Sequence, residues 1–489
     1  MTLTKRTIKN VGWSGVSQAI RLLGQFAITA ILARLLTPKD FGLIAMVVVF
    51  TNFVTVFRDF GLAAALIQRE EPTEEHLSSM FWLNILTGLI LALVLSALAP
   101  TIANFYHEDR LVLIIIVLAS TFFTSSFGIV QNALFMKELN YKSIAIIWTL
   151  AVIISGAVAV ILAYNGFGVW SLVYQQVVSS IFLGFLPWAF CKWKPKFLFR
   201  WRKIKELLGY GLHLTGFNLV NYFSRNLDNL LIGKFLSSTS LGFYNFAYQL
   251  MTFPLNSISS TIGQVMFPSL SIIKNDKEKV RNAYLKATSY IAVVTFPLML
   301  GLLAIAPQFI RVIFGTQWER SIFLVQILAI IGLIQSISTT VGWIFQSQGR
   351  TKIMFWWGII TTVILAGAFV LGLRWDIEGV AIAYAVTVIL LTYPSFLITF
   401  KLIDLRFSQF IKQFRFIFLS AAVMGGVMFG LRLVLENTVW AKDLIILILT
   451  IILGIISYIG LLLILEKTIF KEVFQLIKSN FFQKGNRTL

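Results

Sequence analysis

Eight polar side chains fall into two stripes set 200 residues apart, each inside a stretch otherwise apolar enough to cross a bilayer. Gln18, Arg21, Gln25 and Thr29 recur at intervals of three and four, which puts them on one helical face. Asn218, Asn221, Arg225 and Asn229 repeat that register. A guanidinium group donates paired hydrogen bonds to phosphoryl oxygens, and an amide both donates and accepts, as sugar hydroxyls require. The chemistry on offer is therefore the holding of a ligand rich in phosphate and hydroxyl groups. An arginine near a bilayer centre costs about 2.5–3.5 kcal/mol, so Arg21 and Arg225 are expected to face a hydrated cavity. The structural alternative pairs Arg225 with Asp228 at i+3 and Arg21 with Asp59.

Arg58 and Asp59 lie near the depth of Arg21, roughly 15 Å from one membrane face at 1.5 Å per residue of helix. This spacing predicts a substrate-binding set of Arg21, Gln25, Arg58, Asn218, Asn221 and Arg225. Asp59 and Asp228 are candidates for coupling a proton or a sodium ion, because an intramembrane carboxylate is normally paired or functional. Other signals are weaker. Asp376-Ile377-Glu378 imitates the acidic triplet of some sugar transferases, but it sits where a turn precedes a helix and acidic residues favour a helix start. The run from Arg69 to His76 reads as a solvated loop, with Ser78 able to cap the next span. Three histidines without ligand spacing argue against a metal site, the single Cys191 cannot form an internal disulfide, and no Walker-type glycine loop is present. No cofactor is expected beyond a coupling ion.

The elements that must position these residues are helices. With 58% hydrophobic and 13% charged residues and a mean hydropathy of +0.84, the 489-residue chain reads as an integral membrane protein. Apolar runs of about 20 residues recur without period-2 alternation, so the spans are α-helical. About fourteen can be drawn: 11–33, 41–67, 78–99, 111–136, 143–164, 168–190, 207–232, 241–273, 283–305, 319–346, 353–374, 379–400, 416–434 and 443–465. The first is too long and too polar for a cleaved signal peptide. Pro187, Pro254, Pro297 and Pro394 fall in or near spans, where each frees a backbone carbonyl and permits a bend.

The net charge of +20 invites a nucleic-acid reading, but the basic residues sort by membrane side, about 28 against about 9 across alternate loops. That bias places both termini in the cytoplasm. The segment from Lys192 to Lys205 alternates lysine and arginine with aromatic residues, as an interfacial anchor or a grip on anionic headgroups would.

The chain also resembles itself. A shift of 200 lays Leu32 to Thr37 over Ile232 to Ser237, and Phe41-Gly42-Leu43 over Leu241-Gly242-Phe243. A shift of 210 lays Leu134-Phe135 over Ile344-Phe345 and Lys142 over Lys352, and a shift of 211 lays Gly168-Val169 over Gly379-Val380. Each unit holds six helices, an even number, so the halves share one orientation. The expected domains are an N-lobe over 1–190, a basic linker over 191–206, a C-lobe over 207–400, and a pair of further helices with a basic tail over 401–489.

The run Ile31-Leu32-Ala33-Arg34-Leu35-Leu36-Thr37-Pro38-Lys39-Asp40-Phe41-Gly42-Leu43, followed by Phe57-Arg58-Asp59-Phe60-Gly61-Leu62-Ala63-Ala64-Ala65-Leu66-Ile67-Gln68-Arg69, resembles the polysaccharide transporter family. This family lies within the multidrug/oligosaccharidyl-lipid/polysaccharide exporter (MOP) superfamily, and the likeness is to Wzx-type flippases of the colanic-acid and teichuronic-acid kind. The resemblance implies an all-α polytopic membrane protein, with two pseudo-symmetric six-helix bundles in a V as in MATE transporters, and here two extra C-terminal helices. It implies a flippase, not an enzyme. Its substrate would be an undecaprenyl-diphosphate-linked repeat unit for lipopolysaccharide or exopolysaccharide, turned from the inner to the outer leaflet of the bacterial cytoplasmic membrane, with cation coupling. Partners would be the lipid-linked oligosaccharide, membrane lipids, and a polymerase with other assembly proteins, and no nucleic acid. A rival keeps the fold and exports drugs or metabolites. A second rival, a membrane glycosyltransferase or polymerase, would need larger outer loops than this chain has.

Overall fold

A computed structural model describes residues 21–55, 57–58, 62–69, 72–205, 222, 226–437, 442–467 and 471–472. Among the described residues there are helices and no strands. They fall into two compact units, Met1–Gly242 and Phe243–Leu489. The dividing line follows Gly242, in the first turns of a helix, rather than the linker at 191–206. Nine helical runs among the described residues are long and apolar enough to cross a membrane, or ten when one bent pair is taken as a single span. The first and seventh expected spans begin in residues outside the described set.

The first unit opens with α1 (21–35) and α2 (Pro38–Thr55). The expected second span, 41–67, is not one helix: α2 stops at Thr55 and α3 (Leu62–Gln68) starts afresh. Next comes α4 (Glu74–Tyr106), which at 33 residues outruns the expected 78–99 at both ends and holds Pro100. Its start is set by Thr73, whose backbone N–H donates to His76 Nδ1 at 3.3 Å, not by Ser78. Ser78 lies inside the helix, where its hydroxyl donates to Glu74 and accepts from the Lys196 backbone N–H at 3.0 Å.

The expected fourth span is also broken, into α5 (Leu111–Ser126) and α6 (Ile129–Lys137), bent by 46°. Then follow α7 (Tyr141–Tyr164), α8 (Val169–Phe185) and the single turn α9 (Pro187–Phe190). The bend at Phe127-Gly128 is supported from outside, because Trp188 Nε1 donates to the Phe127 carbonyl at 3.0 Å. Small residues let the helices close at this point. A Cβ on Gly184 would lie 2.0 Å from the Thr124 carbonyl oxygen, and Thr124 and Ser180 share a hydroxyl bond of 2.8 Å. The linker after α9 is stitched along the start of α4. Trp193 Nε1 donates to the Glu74 carboxylate, Trp82 Nε1 to the Lys196 carbonyl at 2.8 Å, and Arg200 pairs with Glu75 at 2.7 Å. Lys192, Lys194 and Lys196 face outward beside an exposed Phe197.

The second unit is built from α11 (Ser238–Ile272), α12 (Lys277–Ile313), the broken pair α13 (Ser321–Ser338) and α14 (Val341–Ser347), α15 (Thr351–Gly372), α16 (Asp376–Phe400), α17 (Phe407–Glu436) and α18 (Asp443–Leu465). Its core joins Tyr284, Phe296, Phe396, Phe400, Phe410 and Phe414 from α12, α16 and α17.

The internal duplication is visible within each unit separately. Leu139 and Gly349 both take positive φ (54° and 65°), and so do Gly166 and Asp376 (80° and 59°), each pair 210 residues apart. The matched pairs Leu134-Phe135 and Ile344-Phe345 are buried alike. The break between α5 and α6 recurs between α13 and α14. Left-handed backbone is uncommon outside glycine, so Leu139 and Asp376 share with the glycine 210 residues away a conformation that few side chains adopt.

Candidate functional site

The described candidates lie in the first unit and on α10, the helical stretch 226–235. Arg21 is half-buried on α1, and its guanidinium carbon sits 5.3 Å from the centroid of the Trp148 ring on α7. Arginine over an indole is a cation–π contact of about 0.5–2 kcal/mol, stronger when desolvated. Gln25, one turn on, is exposed, and Thr29 is half-buried. The stripe thus runs along an incompletely covered face of α1.

Arg58 is not on a helix. It occupies a turn after α2, and its Nη1 donates to Ser125 Oγ at 3.3 Å in the last turn of α5. The guanidinium therefore joins two helix ends, one before each break. Arg21 and Arg58 are anchored on different helices, α7 and α5.

Asp228 is buried, 4% exposed, and its Oδ1 accepts the Asn229 backbone N–H at 2.8 Å; Asn229 is buried beside it. Its place as a carboxylate within an apolar span is the feature that drew it from the sequence. Gln18, Asp59, Asn218, Asn221 and Arg225 lie outside the described residues. Their neighbour Tyr222 is described, and its hydroxyl donates to the Val49 carbonyl of α2.

Sequence reasoning missed Trp148 and Ser125, because their roles depend on which helices pack together. It also missed Asn84 and Gln131. Gln131 is wholly buried, and neither its amide nitrogen nor its amide oxygen meets a partner among the described residues; the Asn84 amide nitrogen is likewise unmatched among them. Asp376 and Glu378, by contrast, are structural: both pair with Arg320, at 2.7 and 3.1 Å, and this holds the Arg320 guanidinium protonated beyond its ordinary range.

An arrangement of arginines, hydroxyls and amides seated among apolar helices can bind an anionic polar group; none of these side chains is poised as a nucleophile with a general base. The chain is 29% identical over 441 residues to the teichuronic acid biosynthesis protein TuaB of Bacillus subtilis, spanning 89% of this chain and 91% of that protein. It is 27% identical to the lipopolysaccharide biosynthesis protein WzxC of Escherichia coli, over 82% of each chain. Among solved structures, the lipid II flippase MurJ in an inward closed conformation matches with a TM-score of 0.75 at 15% identity, over 94% of this chain and 99% of that one. An inward-facing MATE transporter of the MOP superfamily matches with a TM-score of 0.63 at 16% identity, over 82% and 99%. These two likenesses concern the fold. A model of the polysaccharide biosynthesis protein family matches residues 31–323, more than half of the sequence, and the chain belongs to that family.

Proposed function

We propose that this multi-pass membrane protein is a flippase for lipid-linked oligosaccharide repeat units of a bacterial polysaccharide. It moves them from the inner to the outer leaflet of the cytoplasmic membrane by alternating access. The observation that carries the reading is a pair of arginines, Arg21 and Arg58, set among apolar helices in a chain that aligns along most of its length with TuaB. A sugar headgroup crossing lipid unshielded would lose several kcal/mol for each unmatched polar group, so it needs a polar enclosure, while a polyprenyl tail stays in the bilayer. In this reading Arg21, Arg58 and Arg225 hold the diphosphate, and Gln25, Asn218 and Asn221 meet phosphate or sugar. Asp59 and Asp228 couple the cycle to protons or sodium ions. Both termini lie in the cytoplasm, and a polymerase and other assembly proteins take up the product.

The test replaces Arg21 and Arg58 by glutamine. Normal membrane insertion with repeat units accumulating on the inner leaflet supports the proposal, and undiminished export by both variants refutes it. The fold shared with MATE transporters makes export of another small molecule the second reading. Arginine side chains disfavour organic cations, and transport of dyes by reconstituted protein would favour that rival.

A further inference from the structure

Helix α12 carries two prolines in its interior, Pro297 and Pro307. A proline removes its own N–H, so the carbonyl four residues earlier loses its helical donor, and the ring forces a bend. Those orphaned carbonyls belong to Val293 and Leu303, and other helices supply donors to both. Tyr458 of α18, itself buried, donates its hydroxyl to Val293 at 2.7 Å. Gln326 of α13 donates to Leu303 at a long 3.5 Å, and Arg432 of α17 donates to the adjoining Ala304 carbonyl at 2.8 Å. The Arg432 side chain is 12% exposed and is balanced by Glu436 at 3.3 Å, while Gln308 of α12 donates to the same carboxylate. Between the prolines, Gly301 packs on Met424 and Met428, and Gly425 lies against the Leu300 carbonyl, so small residues bring α12 and α17 together in this stretch. Beyond α18, Glu472 binds Lys286 at 3.0 Å and Tyr290 at 2.7 Å on α12, and these bonds hold its carboxyl below the ordinary range.

We propose that α17 and α18 form a clasp on the two proline bends of α12, with Tyr458 and Arg432 as positioning residues that set its curvature. A proline bend with an unmatched carbonyl flexes freely; one whose carbonyl is bonded to a neighbouring helix holds a single angle until that bond is exchanged. α12 therefore changes its bend only as Tyr458 of α18 releases the Val293 carbonyl and as Gln326 of α13 and Arg432 of α17 release the carbonyls of Leu303 and Ala304. This inference concerns conformation alone and does not depend on the identity of the cargo.

Lys279 lies 18 residues before Pro297, a lever of about 27 Å, so a change of about 20° in the bend moves it by about 9 Å. Nitroxide labels at Lys279→Cys and Lys352→Cys, in a full-length Cys191→Ser background in lipid nanodiscs, report that displacement by pulsed electron resonance. The unsubstituted helix should give one narrow distance. Tyr458→Phe, which removes one oxygen and keeps the ring, should broaden or shift it by several ångströms. Pro297→Ala restores a helical N–H to the Val293 carbonyl, so in that background Tyr458→Phe should change nothing. An unchanged distance in the first comparison, or an equal change in both backgrounds, overturns the clasp. The measurement uses no substrate, so its failure is distinct from a failure of the proposed transport.

Discussion

Arg21 and Arg58 are each held by something short and specific, an indole face for one and a hydroxyl for the other. The indole face and the hydroxyl carry no formal charge of their own. Gln131 presents the opposite case. Both of its amide atoms are buried without a partner among the described residues, and an unmatched buried polar group costs about 1–3 kcal/mol. Gln131→Leu, of similar volume, should therefore stabilise the purified protein by about 1–3 kcal/mol, read as a higher melting temperature. A lower melting temperature would mean that the amide is bonded to trapped water or to a ligand. The Cys191 thiol is half-buried, and desolvation pushes it above its ordinary value of 9.0. Its thiolate fraction at neutral pH is correspondingly small, so maleimide labelling should be slow at pH 7 and should accelerate through pH 9 and beyond.

At the scale of helices, close approach is bought by glycine. A Cβ on Gly42 of α2 would lie 1.6 Å from the Ser238 carbonyl oxygen, and one on Gly242 would lie 1.9 Å from that of Pro38. These residues are partners under the 200-residue shift, 38 with 238 and 42 with 242, and within the first unit they meet in exchange, as in an isologous contact. The duplication thus put the same small residue on both sides of one crossing. Gly242→Val should destabilise the fold by about 1–3 kcal/mol or more, because backbone must move to admit the side chain. Thermal unfolding of that variant beside the control Gly358→Ala, where a Cβ meets nothing within 4 Å, measures the cost. The linker illustrates a different economy: its tryptophans and backbone bind the start of α4, so its lysines are presented outward in a fixed row.

For the whole molecule, the proposed orientation with both termini in the cytoplasm rests on the charge bias between alternate loops. It predicts that Cys191, just past α9, reacts with a membrane-impermeant maleimide only in inside-out vesicles at alkaline pH. Labelling in right-side-out vesicles would reverse the orientation. From α4 onward the first unit runs through a long helix, a broken pair and two further helices, and the second repeats that order from α12 to α16.

Composition alone determined that this chain lives in a membrane, because so few charges cannot cover a water-soluble surface. Apolar run length determined where most helices lie, and self-alignment exposed the duplication through residues at helix starts such as Gly42 and Gly242. The breaks were not legible. The stretches 41–67, 111–136 and 319–346 are each predominantly apolar, and hydropathy does not distinguish a straight helix from a bent one. Only tertiary structure decided that Arg58 stands on a turn, that Arg21 meets Trp148, and that Tyr458 answers the carbonyl orphaned by Pro297. The physical reason is common to all three. A sequence states which groups need partners, whereas the partner is chosen by which helices pack side by side, and in lipid that choice rests on small-residue contacts spread across distant segments.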